Sequence, residues 1–344
     1  MTSTDLFDYE LPENLIAQRP LEKRDQSRMM ILARETRKIT DGMFTSFPDY
    51  LRKGDTLVIN TTKVFPARLL GSRKTGGKVE ALLIRGWGNG LWSAMIGGLK
   101  KLNRGETIYF GDGEAFVKEK HSGGYALLQF ESEKESIRLT QRFGDIPLPP
   151  YINRPGSVAD KADKKRYQTV FADSIGSCAA PTAGLHFTDE ALTLIQAHGV
   201  RVAEVVLHVG PGTFRPVRAS NIEDHEMDAE AFHVPEETVK MIEETKNNGG
   251  RVVAVGSTST RALESLSVAD GKTLPCSGST RLFITPGYRF KLVDAMLTNF
   301  HLPKSTLLML VCAFARREFV LRAYAHAVSE KYRFFSYGDA MLIV

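Results

Sequence analysis

Cysteine is scarce in this sequence, and no hydrophobic run is long. The three cysteines, Cys178, Cys276 and Cys312, lie far apart, which predicts neither a disulfide framework nor a zinc site and favours reduced thiols in the cytoplasm. The longest apolar runs, such as 307–315, fall well short of the ~20 residues that span a bilayer. Residues 1–8 are polar and acidic, so we expect no signal peptide. We therefore expect a cytoplasmic protein with no membrane segment.

The overall composition is that of a soluble globular protein. At 344 residues, with 42% hydrophobic and 25% charged residues, the chain can form two domains or one large one. The net charge of +5 and the pI near 9.0 permit nucleic-acid binding without requiring it. Basic residues gather locally, either on solvated faces or at contacts with phosphates, at 19–28, 73–78, 100–104 and 154–166.

The middle of the first half differs in character from its surroundings. From residue 64 to 150, short β-type runs are separated by glycine-rich turns, a pattern typical of a small antiparallel barrel. The proline-rich segment 146–151 predicts an extended linker that leaves the barrel. The predicted strands of the barrel are 79–84, 91–96, 107–109, 115–117 and 125–130.

Helices and strands alternate in the flanking segments. Thr188 is placed to cap a helix over 189–198, and Pro235 to open a second helix that ends near 246. A strand is predicted at 200–209, buried-type strands at 57–60 and 251–255, and a further helix from Ala262. Such alternation predicts parallel strands with helical crossovers. The predicted fold is a mixed α/β main domain (1–63 and 151–344) with an inserted antiparallel β-barrel domain (64–150).

The most informative segment is 179–188, Ala-Ala-Pro-Thr-Ala-Gly-Leu-His-Phe-Thr. It is too apolar for an ordinary surface loop, and Pro181 and Gly184 interrupt any helix. It places small residues and His186 next to a helix N-terminus, where a ligand can be held. The alternative is a tight connection between strand and helix.

The segment from Gly256 to Arg261, Gly-Ser-Thr-Ser-Thr-Arg, lies where a predicted strand ends and a helix begins. Its amides, its hydroxyls and Arg261 predict a site for a carboxylate or phosphate; the alternative is a capped turn. It matches neither a Walker loop nor a Gly-x-Gly-x-x-Gly turn.

Three further polar segments leave alternatives open. The segment 225–230, His-Glu-Met-Asp-Ala-Glu, would on a helix form either a metal site or a pocket wall with an acid or base. In 297–303, Asn299 and His301 would share one face of a strand, in a site or as a satisfied strand end. The aromatic segment 332–339 fits either base stacking or closure of the core.

Together these segments resemble, over the whole chain, the S-adenosylmethionine:tRNA ribosyltransferase-isomerase (QueA) family of queuosine biosynthesis. Two of the longest stretches are Gly-Asp-Thr-Leu-Val-Ile-Asn-Thr-Thr-Lys-Val-Phe-Pro-Ala-Arg at 54–68 and Leu-His-Val-Gly-Pro-Gly-Thr-Phe-Arg-Pro-Val at 207–217. The others are 5–12, 15–18, 24–28, 76–80, 146–151, 167–172, 176–188, 256–265, 297–315 and 332–343.

The resemblance implies an α/β domain interrupted by a β-barrel. It also implies transfer and isomerisation of the ribosyl part of S-adenosylmethionine onto 7-aminomethyl-7-deazaguanine (preQ1) at the tRNA wobble position. The products would be epoxyqueuosine-tRNA, adenine and methionine. S-adenosylmethionine is thereby consumed as a substrate, so we expect no cofactor and no metal, and we expect a monomer.

The resemblance and the chemistry together imply three groups of site residues. The acid/base groups are His186 and His301, supported by Asp228 and Glu230. The substrate-binding residues are Pro181, Thr182, Ala183, Gly184, Gly256, Ser257, Thr258, Ser259, Arg261 and Asn299, of which Arg261 and the 256–259 amides hold the methionine carboxylate. The residues expected at tRNA phosphates are Arg19, Lys23, Arg24, Arg28, Arg154, Lys164, Lys165 and Arg166.

One departure from the family pattern concerns the segment 225–230. The family has His-x-Met-His-x-Glu, whereas Asp228 stands here in place of the second histidine.

Two other functions are considered. An S-adenosylmethionine-dependent RNA methyltransferase would share the cosubstrate, but its glycine-rich loop is missing. A non-catalytic tRNA-binding protein would not need so many polar loops of buried type.

Overall fold

The computed structural model describes residues 1–154, 158–214, 217–269, 272–274 and 276–344. The strands are β1 (Arg28–Ala33), β2 (Lys38–Met43), β3 (Thr56–Asn60), β4 (Thr62–Val64), β5 (Arg68–Arg73), β6 (Lys78–Gly86), β7 (Leu91–Gly97), β8 (Thr107–Phe110), β9 (Gly113–Lys120), β10 (Tyr125–Phe130), β11 (Gly144–Asp145), β12 (Ser174–Ser177), β13 (Arg201–Leu207), β14 (Glu230–Val234), β15 (Val252–Val255), β16 (Val268–Ala269), β17 (Lys272–Thr273), β18 (Cys276–Thr280), β19 (Ala295–Asn299) and β20 (Ala340–Ile343). The α-helices are α1 (Glu133–Phe143), α2 (Lys161–Arg166), α3 (Asp189–Ala197), α4 (Glu236–Asn247), α5 (Gly256–Glu264), α6 (Thr306–Ala315) and α7 (Arg317–Ser329).

Six strands of the glycine-rich region close into an antiparallel barrel. Their order is β5-β6-β7-β10-β9-β8, and β8 pairs back with β5. At this closing seam a side chain on Gly71 would place its Cβ 2.5 Å from the carbonyl oxygen of Tyr109, so the seam requires glycine. The predicted barrel is therefore confirmed. Its six strands lie between Arg68 and Phe130, inside the predicted limits 64–150, which themselves stay a prediction.

The other large sheet is mixed and has the order β18-β14-β13-β3-β15-β19-β20-β1-β2. Strands β13, β3, β15 and β19 are parallel neighbours, so their carboxyl ends meet at one edge. Strands β14 and β20 run against them, and β1 runs with β20, so the amino ends of these three reach the same edge. We call this edge of the sheet the carboxyl edge, and the ends of seven strands bring polar residues together there. The mixed sheet confirms the prediction of a mixed α/β domain.

Both faces of the mixed sheet are covered. Successive residues of β1 contribute to opposite cores, Met30 and Leu32 to one and Met29 and Ile31 to the other. Helices α4, α5, α6 and α7 pack on the first face, whereas α3 and the 3-10 turn Phe44–Tyr50 pack on the second. Because the central strands are buried on both sides, they read as continuous apolar runs in the sequence. Within the described ranges, no helix is long and apolar enough to cross a membrane.

Two local predictions were wrong. Helix α5 begins at Gly256 instead of Ala262, because the hydroxyls of Ser259 and Thr260 bond back to carbonyls one turn earlier and are accommodated inside the helix. Residues 225–229 lie in neither a helix nor a strand, and Glu230 opens β14, which pairs with β13 and β18, so the helical spacing of the segment is not realised.

The aromatic segment 332–339 closes the core at two positions. Tyr332 and Phe334 have no exposed surface and belong to the larger core of the main domain. The prediction of core closure is therefore confirmed for these two residues. Phe335 and Ser336, in contrast, line a cavity at the carboxyl edge.

A buried ion pair fastens the segment between the two domains. The guanidinium of Arg154, with 3% of its side chain exposed, contacts both carboxylate oxygens of the fully buried Asp163 at 2.6 and 2.8 Å. It also donates to the carbonyls of Gln18 and Asn153. The Tyr337 hydroxyl donates to the same carboxylate at 3.0 Å. This pair links the barrel exit and α2 to the C-terminal segment.

We predict that Asp163→Ala destabilises the protein by about 3–5 kcal/mol, because it leaves the buried charge of Arg154 uncompensated. The free energy of unfolding in urea measures the effect. Lys240→Ala, which removes an exposed ion pair with Glu236, is the control and should leave the unfolding midpoint unchanged. Equal midpoints for the two variants would contradict the prediction.

Candidate active site

A chain of hydrogen bonds connects three parts of the sequence at the carboxyl edge. The hydroxyl of Thr182 donates to Oδ1 of Asn299 at 2.8 Å, so the amide nitrogen Nδ2 faces the ring of His186 at 3.2 Å. Because Nδ2 can only donate, Nε2 of His186 accepts, and Nδ1 carries the proton toward Oγ of Ser27 at 2.8 Å. Thr182 and His186 bound the 3-10 turn that forms the centre of segment 179–188, with Ala183 and Gly184 buried inside it and Pro181 before it.

His186 is held in its neutral form. The residue is 4% exposed, and burial, with help from the positive charges of Arg333 and Arg24, lowers its pKa to about 3. Ser27, which bonds to its Nδ1, was missed as a site residue in the sequence. Its only signal was its position within the family-like segment 24–28.

His301 lies beside the same site and is also neutral. Its Nε2 pairs with the hydroxyl of Thr298 at 2.8 Å, its backbone N–H donates to the Tyr324 hydroxyl, and burial lowers its pKa to about 3. Strand β19 ends at Asn299, so the predicted strand alternation does not reach His301.

One small cavity nevertheless joins Asn299 and His301. The cavity has a volume of about 30 Å³. Several residues that the sequence analysis did not select share it, and they include Tyr151, Thr213, Phe335 and Ser336.

A second polar cluster surrounds the start of α5. Glu230 and Arg261 form an ion pair, each with 4% of its side chain exposed. The other carboxylate oxygen of Glu230 accepts from the backbone N–H of Gly210 at 2.9 Å and from the hydroxyl of Thr213 at 3.0 Å. Since Thr213 also lines the small cavity, this cluster adjoins the histidine site.

Two buried donors in this cluster have no hydrogen-bond partner in the part of the chain that the structure describes. Among the described residues, nothing bonds to NH2 of Arg261 or to the hydroxyl of Thr258. Gly256, Ser257, Thr258 and Ser259 form the first turn of α5, whose backbone N–H groups have no partner within the helix. Unsatisfied buried donors are costly, so this arrangement is suited to an anionic ligand such as a carboxylate.

The structure places Asp228 apart from these clusters, at a contact between the domains. Its carboxylate accepts a hydrogen bond from the Tyr125 hydroxyl of the barrel at 3.0 Å. His225 packs edge-on against the ring of Phe283, and burial lowers its pKa. Of the segment 225–230, Glu230 alone among the predicted site residues reaches Arg261. The described ranges hold no group of three or more His, Cys, Asp or Glu residues that could bind a metal.

A cleft of about 400 Å³ lies between the barrel and the main domain. Arg68 and Glu80 line it from the barrel, and Cys178 and Pro211 from the main domain. Burial, with a contribution from Glu230, raises the pKa of Cys178 to about 12, so this thiol stays protonated. Pro211 belongs to the family-like stretch 207–217. Two residues of that stretch, Arg215 and Pro216, lie outside the described residues.

The residues expected at tRNA phosphates fall into two groups. The prediction for Arg154 was wrong, because its guanidinium is buried and bound to Asp163 and cannot reach a phosphate. Arg24 is also largely occupied, since it donates to three backbone carbonyls. The others lie at least partly at the surface, and they are Arg19, Lys23, Arg28, Lys164, Lys165 and Arg166.

Comparison with known proteins identifies the family. Residues 4–343 match the family model described as queuosine biosynthesis protein. The chain belongs to this family. A family member named S-adenosylmethionine:tRNA ribosyltransferase-isomerase, from Halothermothrix orenii, is 49% identical over 341 residues, which cover 98% of each chain. The protein of the same name from Francisella tularensis subsp. novicida is 49% identical over 99% of each chain.

A solved structure is similar as well. The crystal structure of S-adenosylmethionine tRNA ribosyltransferase from Thermotoga maritima shares 38% sequence identity, with a TM-score of 0.57. The match covers 98% of this chain and 100% of that one. The family resemblance inferred from the sequence is thus confirmed over the full length.

The two neutral histidines predict a loss of stability in mild acid. The pKa values of His186 and His301 are about 3 in the folded chain, whereas an unfolded histidine titrates near ~6.5. The contribution of the two histidines to the free energy of unfolding is therefore fully present above pH ~6.5. It is lost as the pH falls toward ~3, because in this range only the unfolded chain binds the two protons. Each histidine should lower the free energy of unfolding by up to about 1.4 kcal/mol per pH unit in this range.

Urea denaturation at several pH values between ~6.5 and ~5, above the range where most carboxylates titrate, measures this slope. His301→Gln should give a shallower slope than the unaltered protein because one of the two protonation sites is gone. Identical slopes would show that His301 does not titrate differently in the folded and unfolded chains.

Proposed function

We propose that this protein is an S-adenosylmethionine:tRNA ribosyltransferase-isomerase. It transfers the ribosyl part of S-adenosylmethionine to the aminomethyl group of preQ1 at the tRNA wobble position and isomerises it, releasing adenine and methionine. The observation that carries this conclusion is the 49% identity to relatives of that name over at least 98% of both chains. We also propose that it acts in the cytoplasm as a monomer and requires no cofactor or metal, because S-adenosylmethionine is itself a substrate.

The cluster at α5 is suited to the methionine end of S-adenosylmethionine. A carboxylate placed there would accept hydrogen bonds from NH2 of Arg261, from the Thr258 hydroxyl and from the first backbone N–H groups of α5. Glu230 holds the guanidinium in place through its ion pair. The turn at 182–186 and the residues that line the small cavity would then face the reacting ribosyl and adenine portions.

The reaction requires a base, and the two histidines are in the form that a base needs. A proton must leave the carbon next to the sulfonium, whose positive charge acidifies it, and the departing adenine must gain a proton or hydrogen bonds. His186 and His301 are neutral at neutral pH, so each imidazole has one unprotonated ring nitrogen that can accept a proton, which in His186 is Nε2. Glu230 acts in support by fixing Arg261 and Thr213, and Asp228 by its bond to the barrel.

One assay separates this function from the two alternatives. The protein is incubated with S-adenosylmethionine and a tRNA that carries preQ1, and the small-molecule products are identified. Free adenine is the expected product. S-adenosylhomocysteine would indicate a methyltransferase instead, and binding of the tRNA without any product would indicate a non-catalytic binding protein.

The acid/base assignment predicts large losses on removing either imidazole. His186→Ala and His301→Ala should each slow adenine release by about 100-fold or more at saturating substrates. His233→Ala, which removes an exposed histidine on β14, is the matched control and should retain full activity. If both active-site variants fold and keep near-unaltered rates, the acid/base assignment is wrong.

A pair of threonines on α5 tests the carboxylate site. Thr258→Val removes a hydroxyl that has no partner in the described structure, so we expect unchanged thermal stability but about 10-fold weaker binding of S-adenosylmethionine. Thr260→Val is the control because its hydroxyl already bonds to the carbonyl of Gly256. Calorimetric titration measures both affinities, and equal affinities would place the carboxylate elsewhere.

A further inference from the structure

Three arginines from distant parts of the chain converge beside His186. Arg24, Arg166 and Arg333 line one pocket of about 20 Å³ together with Ser27 and His186. We call this site the arginine pocket. The other described residues that line it are Pro20, Leu21, Leu185, Ser336, Tyr337 and Gly338, so no carboxylate of the described ranges lines it.

The arginine pocket retains unused hydrogen-bonding capacity. Nε of Arg166 is buried and has no partner among the described residues. Within the same ranges, the guanidinium of Arg333 makes two long contacts, 3.5 Å to Asp339 and 3.4 Å to the carbonyl of Arg19. Arg24, in contrast, already donates to three backbone carbonyls, so its main contribution to the pocket is its positive charge.

The positive charge of the pocket is only partly neutralised. Asp339 is the carboxylate next to Arg333, and it already accepts from the backbone N–H groups of Arg28 and Arg333. Asp189 interacts with Arg24 from the start of α3. The remaining field still disfavours a protonated His186, whose pKa is lowered by Arg333 and Arg24 in addition to burial. An anion in the pocket would relieve this excess of positive charge.

The position of the pocket indicates which anion belongs there. Ser336 lines both the arginine pocket and the small cavity that contains Asn299 and His301. On another side of that cavity, Thr213 leads to Glu230 and Arg261, where the carboxylate of S-adenosylmethionine is proposed to bind. The second substrate, tRNA, brings a phosphate on each side of the nucleotide that reacts. Exposed Lys23 and Lys165 directly precede Arg24 and Arg166 and add charge for neighbouring phosphates.

We propose that the arginine pocket binds one backbone phosphate of the tRNA anticodon loop, next to the wobble nucleotide, and thereby holds that nucleotide against the small cavity. The planar guanidinium groups of Arg166 and Arg333 donate to the two non-bridging oxygens of the phosphodiester. This inference rests on the proposed function, since it takes tRNA as the second substrate. It adds Arg333 to the residues that the sequence analysis placed at tRNA.

Binding of a preQ1-containing anticodon stem-loop RNA tests the proposal. Arg333→Gln should bind the RNA about 10-fold more weakly, and the slope of log K against log[salt] should fall by about 1. The KM for S-adenosylmethionine should not change. Arg322→Gln is the matched control, because this arginine contacts the carbonyl of Arg37 in the turn between β1 and β2, at the opposite edge of the sheet.

A second measurement identifies the phosphate itself. Stem-loops with a single neutral methylphosphonate at each position around the wobble nucleotide are titrated with the unaltered protein and with Arg333→Gln. At one position the replacement should weaken binding to the unaltered protein about 10-fold and have little effect on the variant. Arg333→Lys, which keeps the charge, should recover part of the affinity and controls for misfolding, together with the melting temperature of each variant.

Two results would overturn the inference. Additive effects of Arg333→Gln and of every methylphosphonate would show that no phosphate contacts this residue. A raised KM for S-adenosylmethionine with unchanged RNA affinity would assign the pocket to the methionine carboxylate. Adenine release by the unaltered protein is measured separately, so failure of the proposed function is distinguishable from failure of the phosphate site.

Discussion

The parallel alignment of β13, β3, β15 and β19 is the constraint on which the rest of the structure depends. Because these strands end together, residues far apart in sequence, such as His186, Glu230, Arg261 and Asn299, reach one edge of one sheet. In open α/β sheets the carboxyl ends of the strands are the usual place for a ligand, since loops and helix N-termini meet there. The barrel is inserted after β3 and the short strand β4, and the interdomain cleft therefore lies beside the same edge.

The sequence alone predicted the architecture well and the site only in part. The barrel followed from short β-type runs between glycines, and the α/β domain from apolar strands buried on both faces, because such patterns are local. Ser27 and Arg333 could not be found in this way, since their relevance depends on contacts with His186 and with the arginine pocket. Arg154 was misassigned for the same reason: its partner Asp163 lies nine positions away, in a sequence that reads as a basic cluster.

The departure at Asp228 acquires a physical meaning in the structure. A carboxylate at this position accepts a hydrogen bond from Tyr125 of the barrel, in a loop where Gly212 approaches so closely that a Cβ would lie 2.1 Å from the carboxylate oxygen. Two residues of the segment 225–230 therefore make contacts in different parts of the structure. Its last residue, Glu230, pairs with Arg261 of α5, whereas Asp228 accepts a hydrogen bond from the barrel.

The positive charges around His186 have two opposing consequences for the chemistry. Arg333 and Arg24 lower the pKa of His186, which makes the imidazole a weaker base. The same field stabilises negative charge that develops nearby, and the carbon next to the sulfonium becomes negative as its proton leaves. A phosphate bound in the arginine pocket would reduce both effects together, raising the basicity of His186 when tRNA is present. Binding of tRNA would thus strengthen His186 as a base while weakening the stabilisation of the developing negative charge, so the two effects of the phosphate on proton removal oppose each other.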